Sequence, residues 1–71
     1  MFIEFKKLTG AKEAAINIEK ISLYYASKNN RYHSILEMEN GDCITVDHEY
    51  ELVKKVMKRY KRVVDLKEVE R

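Results

Sequence analysis

The tract "SILEMENGDCITV", residues 34–46, restricts the fold more than any other part of the chain. Asn-Gly flanked by alternating apolar residues signals a β-hairpin, because Asn and Gly accept the positive φ that tight turns demand. Two registers compete. A two-residue loop at Asn40-Gly41 places Glu37 on the same face as Ile35, Ile44 and Val46. A three-residue loop, Glu39-Asn40-Gly41 with Gly41 left-handed, pairs Leu36 with Ile44 and Ser34 with Val46. It gathers Leu36, Met38, Ile44 and Val46 on one face. A one-residue slip turns every side chain to the opposite face, so burial selects the second register.

The same matching of apolar faces extends upstream. In "FIEFKKL", Ile3 and Phe5 share a face, and in "EAAINI" Ala14, Ile16 and Ile18 do. A turn at Thr9-Gly10 pairs Phe5 with Ala14 and Ile3 with Ile16. "KISLYYAS" follows at once, with Ile21, Leu23 and Tyr25 assigned to the core side. A loop over residues 28–31 then pairs Leu23 with Leu36 and Ile21 with Met38. Downstream, Asp47 is positioned as a helix N-cap. Leu52, Val53, Val56, Met57, Tyr60, Val63 and Val64 recur at helical spacing.

The expected architecture is therefore α+β: a five-stranded antiparallel β-meander, or a small open barrel, packed by one C-terminal α-helix. Residues 1–71 form a single domain, with strands at about 2–8, 13–18, 20–27, 32–38 and 43–46 and a helix at about 48–64. "VVDL" is an alternative short sixth strand. There is no proline, and no repeat or linker interrupts the chain.

At 71 residues, a domain buries only about 60% of its unfolded surface, so such cores usually need a supplement. One cysteine cannot close an intramolecular disulfide, and no Cys/His spacing matches a structural zinc site. Self-association is the supplement left, which points to a homo-oligomer. A free cysteine fits a reducing compartment, and no segment approaches the ~20 apolar residues of a membrane span. A cytoplasmic location is expected.

Cys43, Asp47 and His48, with His33 upstream, are the only residues that suggest a reactive cluster. The hairpin register tests them. It sets Cys43 opposite Glu37 and Asp47 opposite His33, separating Cys43 from His33 by about 13 Å, at roughly 3.3 Å per residue. A nucleophile and its base need about 3 Å. Two glycines are too few for a phosphate-binding loop, and nothing supplies three convergent metal ligands. No catalytic, cofactor or metal site is expected.

Charge is distributed unevenly. Residues 37–51 hold Glu37, Glu39, Asp42, Asp47, Glu49 and Glu51 and no base, whereas residues 54–62 hold Lys54, Lys55, Lys58, Arg59, Lys61 and Arg62 and no acid. An acidic start and basic end complement a helix dipole. The basic face is first a solvated surface, then an oligomer contact against the acidic segment, then a polyanion contact. Lys28 and Arg31, interleaved with Tyr24, Tyr25 and Tyr32, belong to the polyanion reading, since cations beside aromatics suit single-stranded nucleic acid. Tyr24, Ile35, Cys43 and Thr45 fall on the side that the helix leaves open. An exposed apolar strip of this kind marks a protein interface.

The order "FIEFKKLTG", "INIEKI" and "SILEMENGDCITVDHEYELVKKV" resembles FlbD-type small flagellar proteins. Leu8 and Gly10, Asn17 and Ile21, and Asn40-Gly41 occupy corresponding places over about residues 2–57. The resemblance implies the same strand-and-turn order closed by a helix. "INIEKISLYYASKNNRYHSILEMENGDCITVDHEYEL" also resembles part of a LytTR-type DNA-binding domain, which continues with further strands where this chain ends. The expected function is a small non-enzymatic binding module that self-associates and acts through a protein partner. The second expectation is a nucleic-acid-binding regulatory module using the basic helix and the Tyr/Lys/Arg loop.

Overall fold

The computed structural model describes residues 1–61. Five strands and one α-helix follow in order: β1 Phe2–Lys6, β2 Glu13–Asn17, β3 Ile21–Ala26, β4 Ser34–Met38, β5 Cys43–Val46 and α1 Tyr50–Tyr60. A single 3-10 turn, Ile18–Lys20, separates β2 from β3. Arg62, the expected helical extension to 64 and the alternative strand at "VVDL" lie outside the described residues.

The α+β class holds, but the strands form two antiparallel sheets, β1-β2 and β3-β4-β5, instead of one five-stranded meander. The cause lies between β2 and β3. No turn residues separate them, so the chain cannot reverse into a hairpin and bends instead. Asn17 accepts a hydrogen bond from the Glu19 amide through its side chain (3.1 Å), and the Ile21 amide donates to the Ile18 carbonyl. Capping the 3-10 turn in this way releases β3 toward β4. The sheets meet where β1 ends beside β5. Lys7 bridges Val46, the Leu8 amide donates to the Thr45 carbonyl (3.1 Å), and the Asp47 amide donates to the Lys6 carbonyl (2.7 Å).

Two of the three expected registers occur. Phe5 pairs with Ala14 and Ile3 with Ile16. Leu36 pairs with Ile44 and Ser34 with Val46, with Gly41 at φ 96°. The β3-β4 register differs. Ile21 faces Met38 as expected, but an irregularity at Ser22 shifts the following pairs, so Leu23 opposes Glu37 and Tyr24 opposes Leu36. The Ser22 hydroxyl donates to the Glu37 carbonyl (3.1 Å) at that bulge. The slip turns Tyr24 inward and Tyr25 outward, reversing their expected sides. Tyr24 packs on the core with its ring centroid 5.8 Å from that of Tyr50, whereas Leu23 is 51% exposed.

The core comprises Phe5, Ile16, Ile18, Ile21, Leu36, Val46, Val53 and Met57, drawn from both sheets, the 3-10 turn and the helix. Of the helical stripe, Val53 and Met57 are buried, while Leu52 and Tyr60 stay exposed. Asp47 is not the helix cap. Glu49 occupies the N-cap without a side-chain bond, because the Asp47 backbone is committed to β1 and its carboxylate lies 3.5 Å from His33. No described helix is long and apolar enough to cross a membrane.

Candidate functional surfaces

Alternation along the three-stranded sheet sets Tyr24, Leu36 and Ile44 toward the core and Leu23, Tyr25, Ile35, Glu37, Cys43 and Thr45 away from it. Three of the four expected interface residues, Ile35, Cys43 and Thr45, share this outward face. Tyr24 does not, because of the Ser22 bulge. Leu23 and Tyr25 take its place. Periodicity alone could not reveal the exchange, since a bulge inserts one residue without altering the sequence alternation on either side of it.

The carboxylate among these six residues, that of Glu37, is tied down. The Tyr25 hydroxyl donates to Glu37 Oε2 at 2.8 Å. That bond raises the Tyr25 pKa above its ordinary value of 10.0, with desolvation and the nearby Glu37 and Cys43 charges adding to the shift. Tyr24, facing inward, is raised chiefly by burial and secondly by Tyr50. The sheet face therefore carries apolar and neutral groups around a carboxylate that already has a donor.

The Cys43 cluster dissolves into separate roles. Cys43 is exposed and pairs opposite Glu37 at one end of the hairpin, while His33 meets Asp47 at the other. His48 joins the two sheets. Its Nε2 accepts a hydrogen bond from the Lys6 amide (3.1 Å), and its carbonyl accepts one from Ser34 Oγ (2.7 Å). The ring also meets Phe5 edge-on, with centroids 6.0 Å apart. Among the described residues no group of three His, Cys, Asp or Glu side chains converges as metal ligands would.

The polyanion candidates sit in different settings. Lys61 leaves the set, because its ammonium donates to the carbonyls of Ile18 (3.1 Å) and Ile21 (2.6 Å) and so locks the helix end onto the β2-β3 corner. Lys54 is half-buried, Lys55 and Lys58 are exposed, and Arg59 sits over the Tyr60 ring, 5.4 Å from its centroid. Lys28 and Arg31 lie on the β3-β4 loop, far along the chain from these helix residues.

One feature escaped the sequence reading. Splitting the strands into two sheets opens a groove of about 540 Å³. Ile16, Met38 and Ile44 contribute its apolar lining, and Lys20, Glu39 and Asp42 its charged one. Lys20 and Glu39 approach to 3.8 Å across it. The groove depends on the corner after Asn17, which alternation does not encode.

Comparison with family models, curated proteins and solved structures returned no match. The FlbD-type and LytTR-type resemblances thus gain no support from these comparisons and rest on the quoted residues alone.

Proposed function

We propose that this chain is a non-enzymatic binding module that self-associates through the outward face of β3-β4-β5 and acts through a protein partner. The observation that carries the reading is the grouping of Leu23, Tyr25, Ile35, Cys43 and Thr45 on that face, opposite the core. A second copy of the same face is a suitable occupant. A two-fold contact sets a surface against itself, so any central charge meets its own like. Here Glu37, which lies among these residues, already accepts a hydrogen bond from the Tyr25 hydroxyl. The chain's 71-residue length adds a reason for a second copy, because domains of this size bury too little surface by themselves. The non-enzymatic part rests on the separation of Cys43 from His33 along the hairpin and on His48 being engaged with both sheets.

Sedimentation equilibrium tests the reading. The chain is expected to show a reversible monomer–dimer equilibrium, and Ile35→Glu is expected to move it to monomer while keeping the fold by circular dichroism. A chain that stays monomeric up to millimolar concentration would refute the self-association.

A further inference from the structure

The groove of about 540 Å³ is walled on one side by β2, through Ala15, Ile16 and Asn17. Neighbouring residues of a strand point to opposite faces, so a groove that touches three in a row meets the strand edge-on. Its other wall is the end of the β4-β5 hairpin, from Met38 to Ile44.

The β1-β2 ladder decides which backbone groups that edge presents. The Lys7 amide donates to the Lys12 carbonyl, and the Ile18 amide donates to the Met1 carbonyl (3.0 Å). Hydrogen-bonded pairs alternate with non-bonded ones along an antiparallel ladder, so Ala14 and Ile16 also turn their backbone groups toward β1. Ala15, opposite Glu4, turns its amide and carbonyl the other way, to the groove, and Asn17 turns its amide there. Among the described residues no strand pairs with β2 on that side. Such an edge accepts an added strand, whose backbone supplies the missing partners.

The side chains say what kind of strand fits. Ile16 is buried and Met38 and Ile44 are half-buried, which makes the floor apolar. The unbranched Met38 adapts to whatever is laid on it. On the rim, Lys20 lies 3.8 Å from Glu39. The Asp42 carboxylate accepts a hydrogen bond from the Asn40 side chain (3.1 Å) and enters no ion pair among the described residues. The rim is therefore negative on balance, and its unmatched charge suits a basic side chain.

We propose that the groove binds an extended peptide segment of a partner protein, added beside β2 as a third strand of the β1-β2 sheet. The segment bonds through its backbone to Ala15 and Asn17, lays alternate apolar side chains on Ile16, Met38 and Ile44, and offers a lysine or arginine to Asp42. A second copy of this chain is the poorer occupant, because a two-fold contact brings Glu39 and Asp42 against their own copies. The assignment rests on the partner-binding part of the proposed function and gives that partner a chemistry. It uses none of the outward face of β3-β4-β5.

Amide NMR of the full chain, titrated with the heptapeptide acetyl-Val-Thr-Val-Lys-Val-Thr-Val-amide, tests the assignment. Saturable shifts and slowed hydrogen exchange are expected at the Ala15 and Asn17 amides. Ala15→Pro removes a donor that faces the groove and leaves the ladder to β1 intact, as proline at a strand edge can. It is expected to lower affinity about tenfold. Asp42→Lys, at an exposed turn, serves if the proline variant fails to fold. It is expected to weaken this peptide about threefold and to favour the counterpart with glutamate in place of lysine. Any of four results overturns the proposal: no shifts up to millimolar peptide, shifts that cluster away from β2, full affinity in a folded Ala15→Pro, or an unchanged preference for lysine in Asp42→Lys. Shifts at Ala15 and Asn17 on concentrating the chain alone also overturn it, since a second copy would then be the occupant. A chain that stays monomeric leaves the peptide shifts in place, and a chain that ignores the peptide can still dimerise, so the two readings fail separately.

Discussion

Ser34→Ala is the substitution expected to damage the fold most for its size. Ser34 is fully buried, and its hydroxyl donates to the His48 carbonyl at 2.7 Å. The replacement removes one oxygen and leaves that carbonyl without the donor that β4 supplies. A typical hydrogen bond contributes about 0.5–1.5 kcal/mol net, but stranding a buried partner costs about 1–3 kcal/mol. The second figure applies, because Ser34 sits beneath the seam where His48 joins the sheets. With a denaturant slope of about 1 kcal/mol/M for a chain this short, about 2 kcal/mol lowers the urea midpoint by about 2 M. Ser22→Ala is the matched control. Its hydroxyl also donates to a carbonyl, that of Glu37, but at an exposed position, where water replaces the donor and the cost stays below about 0.5 kcal/mol. Urea unfolding followed by circular dichroism reads both. Equal, small midpoint shifts for the two variants would refute the reasoning, since they would mean that solvent reaches the His48 carbonyl.

Further outcomes follow from the same contacts. Lys61→Met is expected to cost about 1.5–3 kcal/mol in urea unfolding, because charge-assisted bonds to the Ile18 and Ile21 carbonyls disappear; Lys55→Met should change stability by less than about 0.5 kcal/mol. Gly41→Ala is expected to cost about 1 kcal/mol, all of it backbone strain at φ 96°, since nothing lies within 4 Å of an added Cβ. Absorbance titration should show two tyrosines, Tyr24 and Tyr25, ionising above the ordinary range, and Glu37→Gln should bring down only Tyr25, which is bonded to it. Because the folded-state pKa of Tyr25 is raised, its contribution to stability is full below pH 10 and is lost as pH rises through the folded value.

The hairpins were legible because each carries its register twice. In β4-β5, Gly41 marks the left-handed position while Leu36 and Ile44 demand a common face, and the two signals agree. In β1-β2, Ile3 with Ile16 and Phe5 with Ala14 gave the same redundancy. β3 has no such check. "ISLYY" offers a large side chain at both parities, so burial could be satisfied by Leu23 and Tyr25 or by Tyr24, and alternation does not choose. The contact that decides is tertiary, the meeting of Tyr24 with Tyr50 from the helix. Asp47 failed as a cap for a related reason. Its local preference for the helix N-terminus competed with a backbone bond to Lys6 and a histidine across the strand. Both were invisible until β1 was known to lie beside β5.

The Ser22 bulge links these structural choices to function. Without it, Tyr25 would point into the core, and Glu37 would lose the hydroxyl that now satisfies it at 2.8 Å. An unsatisfied carboxylate at the centre of the outward face would resist burial against another protein, because a buried charge without a partner is costly. With the bulge, the face acquires Leu23 and Tyr25 together, one apolar and one holding the carboxylate. The same slip sends Tyr24 to the helix, where it ties α1 to the three-stranded sheet. One inserted residue thus fixes the helix on one side of the sheet and gives Glu37 a hydrogen-bond donor on the other. Ser22 itself stays exposed, so the register it sets, and not any contact of its own side chain with a partner, is what the interface depends on.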